Sequence, residues 1–537
     1  MNNLRLCYEL DGRRFAISGS DQVLTLEEST VGGRYRVKVK AGRTVKLLWA
    51  AMEFPADYDR DDKIFVNGYQ SWTDSREYLP GENLPDIYKK PSFIVQKFTL
   101  DGSGDARFKK YEKGVLHGYD ISYVKGKNSF AVVSHNTENA FLIVNHRVKD
   151  NRLVLESDVA GLELSGEFPL FDFLLEQGEA EAILDRELGE TRPVRKLFGY
   201  TSWYNHYQDI SEEKIRFALE QMDSRFDLFQ IDDGFEPFVG DWLCTDETKF
   251  PHGLSGIVET IHQKGMMAGI WLAPFVAEEK SGLYQSHPDW FLRSPDGTPV
   301  KCGSNWSGYY ALDFYNPEAR DYMEQVLKYY VELGFDFFKL DFLFAACAAT
   351  PRDKTRAQVS REAYRFLRQV LGDRLILGCG AAISSSFGLF DYMRIGPDMS
   401  LRFDDVWYMR HMHRERVSTK LTLQNTIYRS FLNGKVFGND PDVFLLRDDN
   451  IKLTAEQKKS TVLLNALFGS LMMTSDDIGT YDGQKTALLN QALVLFEKGR
   501  VLGYRRKGRL IEIEAQVGED KFPLTYNTQK GTLMRNG

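Results

Sequence analysis

The chain has 537 residues, 43% hydrophobic and 27% charged, with 68 Lys+Arg against 76 Asp+Glu for a net charge of −8. That length predicts two or three domains with full-sized cores, and acids and bases mixed without a block of one sign exclude nucleic acid and anionic membranes as expected partners. The five cysteines (Cys7, Cys244, Cys302, Cys347, Cys379) are odd in number and lack any CxxC or zinc spacing, so a reduced compartment and no metal are expected. Glu9 interrupts the place where a signal peptide needs its apolar core, and no run approaches the roughly 18 apolar residues of a membrane span. A cytoplasmic location is the expectation.

Residues 1–185 read as all-β. Short alternating runs such as Tyr35-Arg36-Val37-Lys38-Val39-Lys40 and Leu153-Val154-Leu155-Glu156 lie between Gly, Asp and Asn turns, the pattern of a β-sandwich. Within this region Asn67-Gly68-Tyr69-Gln70-Ser71-Trp72 stands out, although by itself it reads as a turn followed by a core tryptophan.

From Lys196 the texture becomes strand, loop and helix in repetition. The strands are expected at Leu197 to Trp203, Asp227 to Asp233, Met266 to Ala273, Tyr309 to Phe314, Phe335 to Phe342, Arg374 to Cys379, Phe390 to Ile395 and Lys435 to Asn439, with a closing helix at Gln457 to Met473. Eight strands alternating with helices predict a (β/α)8 TIM barrel at 186–488, followed by a small C-terminal β domain at 489–537. An open doubly wound sheet is the weaker alternative, because no Gly-rich phosphate loop follows the first strand.

Barrel chemistry sits where strands end. The ends here are Trp203, Asp232-Asp233, Trp271, Asp313, Lys339 and Asp341, Cys379, Arg394 before Asp398, and Asn439-Asp440-Pro441-Asp442. Lys339 and Asp341 are two apart on one strand and so share a face. Carboxylates, indoles and one or two cations suit a sugar: hydroxyls take carboxylate and cation partners, and the apolar ring face takes an indole. Two opposed carboxylates can carry glycosidic cleavage. None of the nine histidines lies in an HExxH or serine-triad context, and His206 reads as loop.

These runs, with Gly240-Asp241-Trp242, His287-Pro288-Asp289-Trp290, Met393-Arg394-Ile395-Gly396-Pro397-Asp398 and the N-terminal Asn67 to Trp72, resemble glycoside hydrolase family 36, the clan D α-galactosidases, in its shorter prokaryotic branch. The resemblance implies retaining, exo-acting hydrolysis of terminal α-galactosides, with no cofactor, a small-molecule partner and a monomer or weak homo-oligomer. It implies Asp341 as nucleophile and Asp398 as acid/base. It also implies Asp232 and Asp233 at the sugar's 4- and 6-hydroxyls, Lys339 near the 3- and 4-hydroxyls, Cys379 and Arg394 near the 2-hydroxyl, and Trp72, Trp203 and Trp271 as walls. Two expectations follow from chemistry: Lys339 beside Asp341 favours an ionised nucleophile, and Asp398, off the strand after Gly396-Pro397, sits drier with a raised pKa. One departure is Ala381-Ala382 after Cys379-Gly380, small residues that could admit a 2-acetamido group. An α-N-acetylgalactosaminidase, a galactosyl transferase of the raffinose-synthase kind and a non-catalytic sugar-binding protein therefore remain alternatives.

Overall fold

The computed structural model describes residues 3–86, 105, 108, 111–189, 192–412 and 414–535. The N-terminal alternation resolves into one twelve-stranded antiparallel sheet. Its spine is Arg34–Pro55, in which Val37, Val39, Ala41, Val45 and Leu47 turn inward while the residues between them stay exposed, the period-two signature of a half-buried strand. Leu4–Leu10, Leu24–Val31, Arg152–Ser157 and Glu163–Gln177 pair along it. Two arms of the sheet fold over a common core, one supplying Ile64, Val124 and Val132 and the other Leu116, Leu142 and Val144, which gives the expected sandwich.

The second body is a closed parallel barrel. Its strands are β1 (Leu197–Thr201), β2 (Leu228–Ile231), β3 (Met267–Leu272), β4 (Phe337–Leu340), β5 (Leu375–Gly378), β6 (Tyr392–Arg394), β7 (Gly438–Asp440) and β8 (Leu471–Thr474). Each pairs in parallel with the next as far as β7; the two-residue strand Val443–Phe444 then carries the ring to β8, which pairs with β1. The crossover helices include α1 (Glu212–Gln221), α2 (Ser255–Gln263), α3 (Pro317–Glu332), α4 (Arg356–Leu371), α5 (Thr419–Tyr428) and α6 (Ala455–Phe468). Among the described residues no helix is long and apolar enough to cross a membrane.

Two elements differ from the sequence reading. Tyr309 to Phe314 is not a barrel strand: Tyr309–Ala311 pairs antiparallel with Val276–Glu278 and Lys301–Gly303 in a separate three-stranded sheet over the β3–β4 connection. A parallel neighbour is usually reached through a crossover helix, and between β3 and Tyr309 the helices are only the short Gly282–Ser286 and the single turn Pro288–Trp290. Asp313 thus leaves the row of barrel ends and instead accepts the Tyr315 N–H at 2.9 Å ahead of α3. The closing helix also stops early, at Phe468, because Gly469 and Ser470 break it, and Leu471–Thr474 becomes the eighth strand. The boundaries drawn at 185/186 and 488/489 both fall inside helices, Ala180–Glu187 and α7 (Gly483–Lys498). The four-stranded antiparallel meander that ends the chain starts at Gly499.

Strand parity places the chemistry. Leu197, Leu228, Phe337, Leu377, Tyr392, Leu471 and Met473 form one buried cluster. Counting on by twos from this plug gives Gln230 and Asp232 on β2, Lys339 and Asp341 on β4, Cys379 on β5 and Arg394 on β6. The side chains that follow the plug toward the strands' C-terminal ends are therefore the polar ones.

Candidate active site

At the C-terminal face the barrel holds a cavity of about 220 Å³ lined by Trp72, Trp203, Asp232, Asp233, Trp271, Lys339, Asp341 and Asp398. Eight of the ten side chains singled out in the sequence thus share one pocket. Cys379 and Arg394 lie in the layer beneath: Cys379 is fully buried and its sulfur accepts the Trp72 indole N–H at 3.3 Å.

Asp341 is held by two N–H groups, the Trp271 indole to Oδ2 at 3.1 Å and the Phe342 backbone to Oδ1 at 2.8 Å. Phe342 itself takes φ +55°, a conformation that is costly for a bulky side chain and persists only where surroundings impose it. Here the Phe342 ring is fixed among Trp72, Trp306 and Tyr309, with centroids 5.1–5.3 Å apart.

The expected Lys339–Asp341 pair is a correction. Lys339 Nζ reaches Asp232 Oδ2 at 2.9 Å; burial works against its ammonium, and the Asp232 charge more than offsets that and raises its pKa. Gln230 (2.7 Å) and Thr201 (3.2 Å) donate to the same oxygen, so Asp232 is locked from three strands; Asp341 takes its hydrogen bonds from neutral donors and interacts with the Lys339 charge without a direct bond. Asp233 accepts the Trp306 indole N–H at 2.9 Å and the Gln208 amide at 3.2 Å. The Asp232-Asp233 turn depends on Gly234, at φ +114°, where a Cβ would stand 2.6 Å from the Gln208 carbonyl oxygen.

Arg394 is the electrostatic centre of the far side. It donates to Asp440 Oδ2 and Asp398 Oδ1, each at 2.9 Å, and pairs with Asp442 Oδ1 at 3.0 Å. Three acids on one guanidinium leave Asp398 incompletely neutralised. Burial first, then the charges of Asp442 and Asp341, push its carboxyl up to about 7 against the pull of Arg394 and Lys339. Its side chain is still 38% exposed, so it is recessed in the cavity wall yet reachable from the pocket. The raised pKa is as expected, but the drier setting after Gly396-Pro397 is not, since Asp341 at 8% is the more buried of the two.

Sequence reading missed Trp306 and Tyr309, which come in on the three-stranded excursion, and the rim formed by Glu415, Arg416 and Val417. It also missed Arg429, which is fully buried and donates to the Ser71, Gln70 and Gly68 carbonyls at 2.7, 3.2 and 3.4 Å and to the Ile395 carbonyl at 2.9 Å. That one cation ties the N-terminal loop to the strand end that leads to Asp398. His206 does not line the pocket.

A barrel with two carboxyls at its C-terminal face is an arrangement that can carry glycosidic cleavage, and the comparisons with known proteins point in the same direction. The melibiase family profile matches residues 188–372. The α-galactosidase Mel36A of Lactobacillus acidophilus is 29% identical over 149 residues, 26% of this chain and 20% of that protein. The Escherichia coli α-galactosidase is 30% identical over 189 residues, 33% of this chain and 25% of that one. These matches span about a fifth to a quarter of the curated relatives' length. Among solved structures, the Thermus thermophilus α-galactosidase TtGalA, in complex with p-nitrophenyl α-D-galactopyranoside, superposes with a TM-score of 0.71 at 25% identity, covering 93% of this chain and 98% of that one. The chain is thus similar to the melibiase family over residues 188–372 and, across nearly its whole length, to the fold of an α-galactosidase.

Proposed function

We propose that the chain is a retaining, exo-acting α-galactosidase. The observation that carries this reading is the pairing of two unlike carboxyls in one cavity: Asp341, fixed by N–H donors, and Asp398, raised to about 7. Environments that separate two acids in this way assign one as nucleophile and the other as proton donor.

In the first step an Asp341 oxygen bonds to the anomeric carbon while the glycosidic C–O bond breaks, and the departing oxygen takes the Asp398 proton. Forming the ester removes the Asp341 charge that helped to raise Asp398. Asp398 is then the stronger acid, is held as carboxylate, and is placed to take a proton from water. That water bonds to the anomeric carbon, the ester breaks, and configuration is retained. Asp232, Lys339 and Asp233 would hold the hydroxyls, and Trp203, Trp271 and Trp72 the ring. The cavity, smaller than the ~300–1,000 Å³ of drug-sized pockets, suits a single terminal sugar.

Galactose is favoured over its 2-acetamido derivative by what covers Ala381-Ala382. Ser71 N–H donates to the Ala381 carbonyl at 2.9 Å, Gln70 forms a β-bridge with Ala382, and a Cβ on Gly380 would stand 2.9 Å from the Trp72 ring. The small residues receive the N-terminal loop, which leaves no room there for an acetamido group. The galactoside bound to the Thermus enzyme points the same way.

The test is side-by-side hydrolysis of nitrophenyl α-galactoside and nitrophenyl α-N-acetylgalactosaminide, with product analysis. Free galactose released first as the α-anomer from the first, little turnover of the second, and none in Asp341→Ala are expected. Preference for the acetamido sugar, or activity surviving in Asp341→Ala, overturns the reading.

A further inference from the structure

The mechanism above makes no use of Glu236, a buried carboxyl behind the pocket-lining Asp233. Glu236 lies on the turn after β2 and is 4% exposed. Its Oε2 accepts the Gly234 N–H at 3.2 Å, and its carboxyl is in hydrogen-bond contact with that of Asp233. Asp233 lines the pocket, and its other partners, Gln208 and Trp306, are neutral donors.

The charged and titratable groups around the pair come from several elements. Asp232, the preceding residue, is paired with Lys339 of β4. Lys249 reaches the Gly234 and Gln208 carbonyls at 3.1 and 3.0 Å and so faces the backbone of the turn. Tyr330 of α3, packed on Phe235, directs its hydroxyl to the Trp242 carbonyl at 2.6 Å. Two buried carboxyls in contact cannot both carry charge, and one proton must lie between them. Burial and then the Asp233 charge push Glu236 well above the ordinary carboxylate range. Asp233, which gains two further donors, is also raised by burial but is the better place for the charge.

We propose that Glu236 is a positioning residue for the sugar site: as the neutral acid it donates to Asp233 and holds that carboxylate turned into the pocket toward a sugar hydroxyl. The inference rests on reading the pocket as a galactosyl site. Loss of the Glu236 proton would set a second negative charge against Asp233, turn the two carboxyls apart and weaken sugar binding while leaving the bond-breaking pair intact.

The test compares the full-length wild type with Glu236→Gln and Glu236→Leu. At pH 7 the infrared spectrum of the wild type contains a protonated carboxyl C=O band that is lost in Glu236→Gln; identical carboxyl regions overturn the proposal whatever the substrate. With nitrophenyl α-galactoside, Glu236→Leu raises KM about tenfold or more with kcat changed less than about threefold, and Glu236→Gln, whose amide still donates, recovers most of the loss. Equal KM in the two variants overturns it. The wild-type KM climbs at alkaline pH and that of Glu236→Gln does not; matching KM profiles overturn it, and this arm decides if Glu236→Leu fails to fold. A wild type that hydrolyses no α-galactoside breaks the functional reading, and the infrared band still decides where the proton sits.

Discussion

Two loops from opposite ends of the chain reach the same pocket and are held in opposite ways. Asn67 to Ser75 is almost wholly buried: Asn67, Gln70, Ser71, Thr73, Asp74 and Ser75 are each at most 4% exposed. It is bound to the barrel through Arg429, Ala381 and Asn425, the last donating to the Thr73 carbonyl at 2.9 Å and accepting the Ser75 N–H at 2.9 Å. The segment around Asp404 to Val417 is braced internally by Arg416, whose guanidinium grips Asp404 at 2.9 Å, and meets the first loop where Glu415 accepts the Asp74 N–H at 3.3 Å, but Trp407 and Tyr408 turn outward, 68% and 47% exposed. The first loop delivers a wall of the sugar subsite, where every hydroxyl must be met. The second forms a rim that, on the proposed reading, faces the leaving group. Rigidity therefore follows the part of the substrate that does not vary.

Changes on the fixed side should cost the most. Asp398→Ala is expected to reduce kcat/KM about 10²–10⁴-fold. It should also remove the alkaline limb of the pH profile: a carboxyl raised to about 7 donates its proton below that pH and loses it above, so wild-type activity falls as pH rises through about 7. A variant that keeps this limb would move the proton donor elsewhere. Arg429→Leu is the next largest. It strips donors from four carbonyls in a buried contact, and each buried acceptor left unsatisfied costs about 1–3 kcal/mol. A lowered melting temperature with a raised KM is the expected outcome. Wild-type stability would mean that the loop is held by Asn425 and Ala381 without the cation.

How much of this was legible follows the same division. Strand ends such as Asp232-Asp233, Lys339-Leu340-Asp341 and Trp271 were readable because a barrel strand carries its function at a fixed place and parity does the rest. Trp306 and Tyr309 were not, because an apolar run like Tyr309-Tyr310-Ala311-Leu312 looks the same in a parallel barrel as in an antiparallel excursion. Only the missing crossover helix tells them apart. Leu471–Thr474 was hidden because its apolar run continues that of α6, and Gly469-Ser470 is a short break to read. Lys339 was placed correctly but given the wrong partner: strand parity puts it beside Asp341, whereas the ammonium reaches across two strands to Asp232, which spacing along one strand cannot reveal. Arg429 is a single cation on a helix, with four carbonyl partners that carry no sequence signal.

The smaller effects test whether the wall and the rim are as distinct as their burial. Gly380 has φ +59°, and an added Cβ would stand 2.9 Å from Trp72 Cη2 and 3.0 Å from Cζ2. Gly380→Ala therefore combines a left-handed backbone cost of roughly 1–2 kcal/mol with displacement of the indole, and should raise KM for even a simple aryl galactoside. Trp407→Ala lies at the other limit. A surface change of this kind usually moves stability by no more than about 0.5 kcal/mol, and hydrolysis of nitrophenyl α-galactoside should stay near the wild-type rate because the ring is not among the residues lining the sugar cavity. Comparing that substrate with an α-galactosyl oligosaccharide gives the deciding measurement. A KM increase confined to the oligosaccharide would make the exposed aromatic pair part of the leaving-group side. An equal loss on both substrates would mean that the outer loop supports the sugar subsite as directly as the buried one does, and the contrast between the two loops would then be one of exposure alone.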